Sequence, residues 1–224
     1  RGVGEGSRGD RRRAQAARLT DAESDRVPGC TASQPLADAY LAIRRGASAF
    51  ERGWYPGTGL SGRLSGEQLR CRVIGNSLRE LDRFLNLLID ETLVACARPA
   101  ASTLHNTANK LTTVRDHEPA PMRDHARLMA LGRSRTCLLY TSGHVRRGDR
   151  SGDTLLTIGW WQESADPEAR ALRRVAIGDH LRLSDGEIAE AGAYYVAIAD
   201  SLIEQVRKHQ IAYPPTTQMP AKSR

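Results

Sequence analysis

The chain has 224 residues, 40% of them hydrophobic, and a formal net charge of +7. That length supports one domain with a substantial core and is marginal for two. No apolar run approaches the roughly 20 residues that span a bilayer, and the Arg-rich start lacks the apolar stretch of a secretory signal, so the expectation is a cytoplasmic protein with no membrane partner.

The basic residues are almost all arginine, with lysine only at 110, 208 and 222. Guanidinium groups suit phosphate and planar contacts better than ammonium groups do. A basic balance of this kind permits a nucleic-acid partner without demonstrating one, because a GC-rich coding sequence also favours arginine.

Residues 1–33 are rich in Gly and Arg and have no hydrophobic period, which is the composition of a disordered tail. Helical spacing then begins. Leu36, Ala39, Tyr40, Ile43, Ala47 and Phe50 recur at three- and four-residue steps over 34–53, the apolar face of an amphipathic helix. Gly53 and Pro56 end it in a turn-rich loop. Ser65 with Gln68 forms a capping-box pattern, and a long helix follows to about Cys96, ahead of Pro99. Its apolar face carries Leu69, Val73, Ile74, Leu78, Leu81, Leu85, Leu88 and Ile89. Asp82, Asn86 and Asp90 form a separate polar stripe on it, which reads as a solvated face.

A third helix is expected over 101–114, with Leu104, Ala108, Leu111 and Val114 on one side. Proline-bearing residues 115–121 break the pattern. A fourth helix runs from about Arg123 to Tyr140. The period then changes: 145–161 reads as two strands around a Gly-Asp turn, and 173–183 as a second two-strand hairpin around Gly178-Asp179. Between them Asp166-Pro167 suits the start of a short helical turn. Ser184 and Glu187 give another capping box for a last helix to about His209. Residues 210–224 read as a Pro-containing tail. The fold class implied is mainly α: a helical bundle of about five helices with a small β-hairpin insertion before the last helix, forming one domain over 34–209.

The familiar catalytic signatures are missing: no P-loop, GxGxxG, HExxH or GxSxG occurs. Cys30, Cys71, Cys96 and Cys137 lie far apart, without CxxC or zinc spacing, and read as reduced core cysteines. No metal or cofactor is expected. The Arg-Gly-Asp tripeptides at Arg8 and Arg147 fall in a tail and in a turn, where Gly-Asp is ordinary turn chemistry. His117 and His125 read as exposed loop or first-turn residues, and His180 as part of a strand.

The run Arg135-Thr-Cys-Leu-Leu-Tyr-Thr-Ser-Gly-His144 concentrates polar and reactive side chains at a helix end. An arginine near the end of a helix, a short gap, a histidine and a Gly-containing turn resemble the signature of the HEPN superfamily (higher eukaryote and prokaryote nucleotide-binding). The resemblance spans about residues 34–209. It implies an α-helical bundle, often a homodimer, in toxin–antitoxin or defence-type systems, where many members are metal-independent endoribonucleases and others are non-catalytic. In such a site the imidazole and guanidinium manage the 2′-hydroxyl proton and the phosphate charge.

Carried over by position, Arg135 matches the arginine. Position 140, after the family gap of four residues, holds Tyr140 rather than histidine, and His144 follows after eight. A phenol is protonated at neutral pH and makes a poor general base; losing such a base commonly costs ~10²–10⁴ in rate. Arg135, Tyr140 and His144 are the candidate catalytic residues, and Arg133, Arg146 and Arg147 the candidate nucleic-acid contacts. The expected function is RNA binding or regulation with little RNase activity; RNA, a second copy of the chain, and a protein antitoxin or regulatory partner are the implied partners. Two alternatives stand beside it: a non-catalytic helical dimerisation or interaction module, whose long second helix offers the partner surface, and an active endoribonuclease using Arg135 with His144 or Tyr140. On a purely structural reading Arg135 makes a helix-end contact and Tyr140 packs in the bundle.

Overall fold

A computed structural model describes residues 33–52, 66–99, 106–115, 121–162 and 171–213. Residues 1–32 and 214–224 lie outside the described residues, as do Cys30, Ser65, Leu104, His117, Asp166 and Pro167 with the expectations attached to them. Among the described residues the chain forms five helices and one two-stranded antiparallel sheet, which lies ahead of the last helix. None of these helices is long and apolar enough to cross a membrane.

Helix α1, Gln34–Glu51, opens with Pro35 in its first turn, where the missing N–H would have had no partner anyway. It buries the six residues that its spacing picks out. Helix α2, Gly66–Ala95, has 30 residues, a rod of about 45 Å at 1.5 Å per residue. It packs against every other helix of the bundle. Its end is closed by Ala97 at φ 52° and by a bond from Arg98 N–H back to the Leu93 carbonyl, a left-handed cap.

Arg98 then reaches across to donate to the carbonyls of Thr113 and Val114 at 2.8 Å each. Those groups belong to the end of α3, Thr107–Val114. This helix starts about a turn later than its apolar spacing implies, because the Asn106 side chain accepts from Ala108 N–H at 2.8 Å and fixes the start as an N-cap.

Helix α4, Pro121–Thr141, leads into strand β1, Leu155–Trp161, and strand β2, Leu172–Ala176. These two strands pair with each other, so the two separate local hairpins expected from the Gly-Asp turns are corrected to one hairpin closed across a longer connection. Residues 180–183 do not form a strand; the segment meets the 143–144 corner through an isolated bridge between His144 and His180 and a bond from Leu181 N–H to the Gly143 carbonyl.

The β1 ladder is irregular between Thr157 and Trp161, and α4 supplies the reason. The Gly159 carbonyl accepts from Arg127 Nε at 3.1 Å, and Gly159 N–H donates to Ser134 Oγ at 3.1 Å. Helix side chains thereby satisfy backbone groups that the partner strand does not. Arg127 is itself buried between the rings of Trp161 and Tyr194, 5.0 and 4.2 Å from their centroids, and paired with Glu190 at 2.9 Å.

Helix α5, Asp185–Ala212, begins with the Ser184–Glu187 capping box, a feature worth about 1 kcal/mol. It runs three residues past His209. Trp160 is fully buried and donates to the Glu187 carbonyl at 2.6 Å, which ties the hairpin to the start of α5. Burial at Tyr195 and Tyr194 pushes both phenols up, so these rings serve the core as neutral groups.

The contact between β1 and α4 is tight at Gly159, where an added Cβ would come within 2.3 Å of Leu131 Cγ and 2.9 Å of its Cα. Gly159→Ala is therefore expected to destabilise the chain by ~1–3 kcal/mol, measured as a lower midpoint in urea unfolding at unchanged slope.

Candidate functional site

The polar stripe of α2 faces other helices, which corrects its reading as a solvated face. Asp90 holds Lys110 Nζ of α3 between its two carboxylate oxygens at 2.9 and 2.8 Å, and Asn86 Oδ1 accepts from the same amine at 2.8 Å. Lys110 is buried. One turn earlier on the stripe, Asp82 pairs with Arg135 Nη1 of α4 at 2.8 Å. Spacing of four residues put these groups on one face, as the sequence indicates; the cations that cover that face come from other helices.

Arg135 is thus half-buried and joined to a carboxylate rather than making the helix-end contact of the purely structural reading. Arg133, two residues earlier on α4, pairs with Asp149 at 3.0 Å and donates to the Thr157 carbonyl at 3.3 Å. Asp149 belongs to the second Arg-Gly-Asp, and its carboxylate also takes the Thr157 N–H at 2.8 Å and the Thr157 hydroxyl at 2.5 Å. The tripeptide is a hook between the turn and strand β1. Burial alone would raise the Asp149 carboxyl; the two Thr157 bonds with the Arg133 and Arg174 guanidiniums outweigh it and hold the group below its ordinary value.

The chain leaves α4 through a rigid corner. Ser142 and Gly143 take φ of 51° and 86°, the second in a region that glycine enters without steric cost. Gly143 N–H bonds to the Cys137 carbonyl, and the Thr141 hydroxyl bridges the carbonyls of Cys137 and His144 at 2.7 and 2.5 Å. Tyr140, one residue before this corner, is 79% exposed; its expected packing within the bundle is overturned. His144 lies beside His180, with ring centroids 5.1 Å apart, and its Nδ1 is buried with no hydrogen-bond partner among the described residues. Exposed Arg146 and Arg147 follow.

These segments border an open groove of about 1250 Å³ between α2, α4 and the 144–149 turn. All six candidates, Arg133, Arg135, Tyr140, His144, Arg146 and Arg147, line it. So do Arg79 and Arg83, which sequence reasoning passed over; their four-residue spacing on α2 is the signal that could have found them. The groove therefore gathers six arginines, counting 79, 83, 133, 135, 146 and 147, against two carboxylates, Asp82 and Asp149. Arg79 and Arg83 are exposed, with only surface pairs to Glu80 at 3.4 and 3.6 Å, interactions of small net worth.

No hydrogen bond joins Arg135, Tyr140 and His144 to one another; the Arg135 side-chain bond goes to Asp82. His125, on α4, shares a 2.8 Å contact with Asn109, and His180 is exposed. Cys71, Cys96 and Cys137 are buried. Burial pushes the Cys71 thiol up to about 11 and raises Cys137 as well, so neither is a thiolate nucleophile at neutral pH.

No family model, curated protein or solved structure matches the chain.

Because folding holds the Asp149 carboxyl below its unfolded value, its contribution is fully present above that unfolded value, near pH 4, and is lost as pH falls through the folded one. Wild-type stability is expected to drop as the pH falls below about 4 more steeply than that of Asp149→Asn, which is less stable at pH 6. Urea unfolding across that pH range measures the difference.

Proposed function

We propose that this is an RNA-binding, regulatory HEPN-like protein with little or no ribonuclease activity, and that the arginine groove receives the RNA backbone. The observation that carries the reading is the concentration of six guanidiniums against two carboxylates along one open groove. Guanidinium N–H groups match phosphate oxygens two at a time, and each ion pair inside the groove leaves further donors on its arginine. Arg146 and Arg147, exposed and without an ion pair among the described residues, are the natural phosphate contacts. Arg133 and Arg135, anchored by Asp149 and Asp82, form the fixed wall.

The weak catalytic competence follows from the same geometry. A 2′-hydroxyl cleavage needs a base within hydrogen-bond reach and a cation on the phosphate. Tyr140 supplies a phenol where the resemblance calls for an imidazole. His144 is bound into the corner and packs on another histidine, and no carboxylate among the described residues hydrogen-bonds either ring.

The test is binding of a fluorescent RNA to the full chain over a salt series, with gel analysis of the RNA afterwards in EDTA. Affinity is expected to fall steeply with salt, and the RNA to stay intact. Arg146→Ala with Arg147→Ala should lower affinity and flatten the logarithmic salt slope by roughly 1.4, about 0.7 per phosphate contact on a single strand. Salt-independent binding, or none, contradicts the reading. Cleavage that disappears in Arg135→Lys would favour the endoribonuclease instead.

A second reading has its own observation. Leu87 and Val94, seven residues apart on α2, are 46% and 67% exposed, a narrow apolar edge of the kind that pairs helices. If α2 is a dimerisation face, light scattering after size exclusion gives twice the chain mass, and Leu87→Glu with Val94→Glu gives the single mass. A single mass for the wild-type chain rules that face out.

A further inference from the structure

We infer that Tyr140 is a stacking platform for one unpaired base, so that the groove selects a single strand over a closed duplex; this rests on the RNA-binding reading of the groove. Three observations lead here. Tyr140 is the most exposed large hydrophobic side chain among the described residues, at 79%. It borders the arginine groove rather than standing alone on the surface. Its backbone sits at one of the most constrained points of the fold.

That constraint comes from both sides. Before Tyr140, Leu138 is buried, and Gly75 of α2 lies so close to this turn that an added Cβ would come 2.8 Å from Leu139 Cγ and 3.1 Å from Leu139 N. After it, the Thr141 hydroxyl bridges two carbonyls, and Gly143 closes the helix with a bond to Cys137. A tyrosine has few rotatable bonds, so a ring on a fixed backbone loses little entropy when a flat partner covers it. A large exposed ring on a mobile loop would carry no such advantage.

The neighbours specify what the flat partner is attached to. Arg146 and Arg147, a few residues past the corner, and Arg79 and Arg83 of α2 border the same groove. An exposed ring that shares a groove with these guanidiniums matches a base and its phosphates in a strand whose bases are not already stacked and paired. Within a duplex the bases cover one another and offer no face to Tyr140. A ring stack reads no base edge, so the contact is tolerant of sequence.

The experiment compares wild type, Tyr140→Ala, Tyr140→Phe and Tyr140→Trp on a 12-nucleotide RNA carrying one 2-aminopurine, and on the same RNA closed into a blunt duplex. Stacking by a single aromatic ring is worth roughly a 10-fold change in affinity. Tyr140→Ala is expected to weaken single-strand binding about 10-fold, to leave duplex binding unchanged, and to abolish the quenching of 2-aminopurine that wild type produces. The Phe and Trp variants should keep both the affinity and the quenching, which separates stacking from a hydrogen bond by the phenol. Single-strand binding by wild type that is insensitive to Tyr140→Ala overturns the stacking inference and leaves the groove reading standing. No binding of either RNA by wild type overturns both. A change in chain mass with Tyr140→Ala, at unaltered RNA affinity, assigns the ring to a protein interface and also overturns it.

Discussion

The fold depends on how charge is matched along one face of α2. That helix touches every other helix, and its Asp82–Asn86–Asp90 face would be costly to cover with apolar side chains. The structure covers it with two cations from elsewhere in the chain, Lys110 from α3 and Arg135 from α4. Removing a partner from a pair of this kind costs far more than the pair contributes in net stability, because a carboxylate is left partly buried and unpaired. The stripe therefore acts as a register device: α3 and α4 are placed where their cations meet it.

A second set of arginines sets the hairpin. Arg127 and Ser134 take the backbone of Gly159, and Arg133 takes Asp149, which in turn holds Thr157. The strand pair is thereby fixed on α4 by polar contacts as well as by the buried Trp160 and Ile158. The groove is a consequence of these two arrangements. Its anchored wall arginines, 133 and 135, are structural ties first. Their remaining donors, with the exposed guanidiniums of Arg79, Arg83, Arg146 and Arg147, give the groove its positive character. A strong field inside a concave surface attracts polyanions more than the same charges spread over a convex one.

Much of the helical architecture was legible because periodicity reports which residues share a face. Leu36 through Phe50 on α1 and Leu78 through Ile89 on α2 were readable in that way, and Ser184 with Glu187 marked the start of α5. Periodicity does not report what covers a face. Asp82, Asn86 and Asp90 carry the same spacing whether water or Lys110 lies over them, so the stripe was misread. The strand pairing failed for a related reason. Gly148-Asp149 and Gly178-Asp179 have the local chemistry of hairpin turns, yet Asp149 spends its carboxylate on Thr157, and β1 finds its partner beyond residue 170. The six candidate residues of the site do border one groove, because a helix end and the turn after it stay together in any fold. Arg79 and Arg83 come from a helix more than fifty residues away, and no local pattern connected them to Arg135. The exposure of Tyr140 was equally hidden, since an aromatic residue among Leu138 and Leu139 has the sequence context of a core side chain.

The proposed RNA contact at the arginine groove implies which segments lie against the nucleic acid. Photo-cross-linking of the full chain to a 4-thiouridine RNA, followed by mass-spectrometric mapping of the attached residues, tests that directly. Cross-links are expected on the 132–149 segment and on 79–87 of α2, the stretches that border the groove. Cross-links confined to α1 or to α5 would contradict the account, because no residue of those two helices lines the arginine groove.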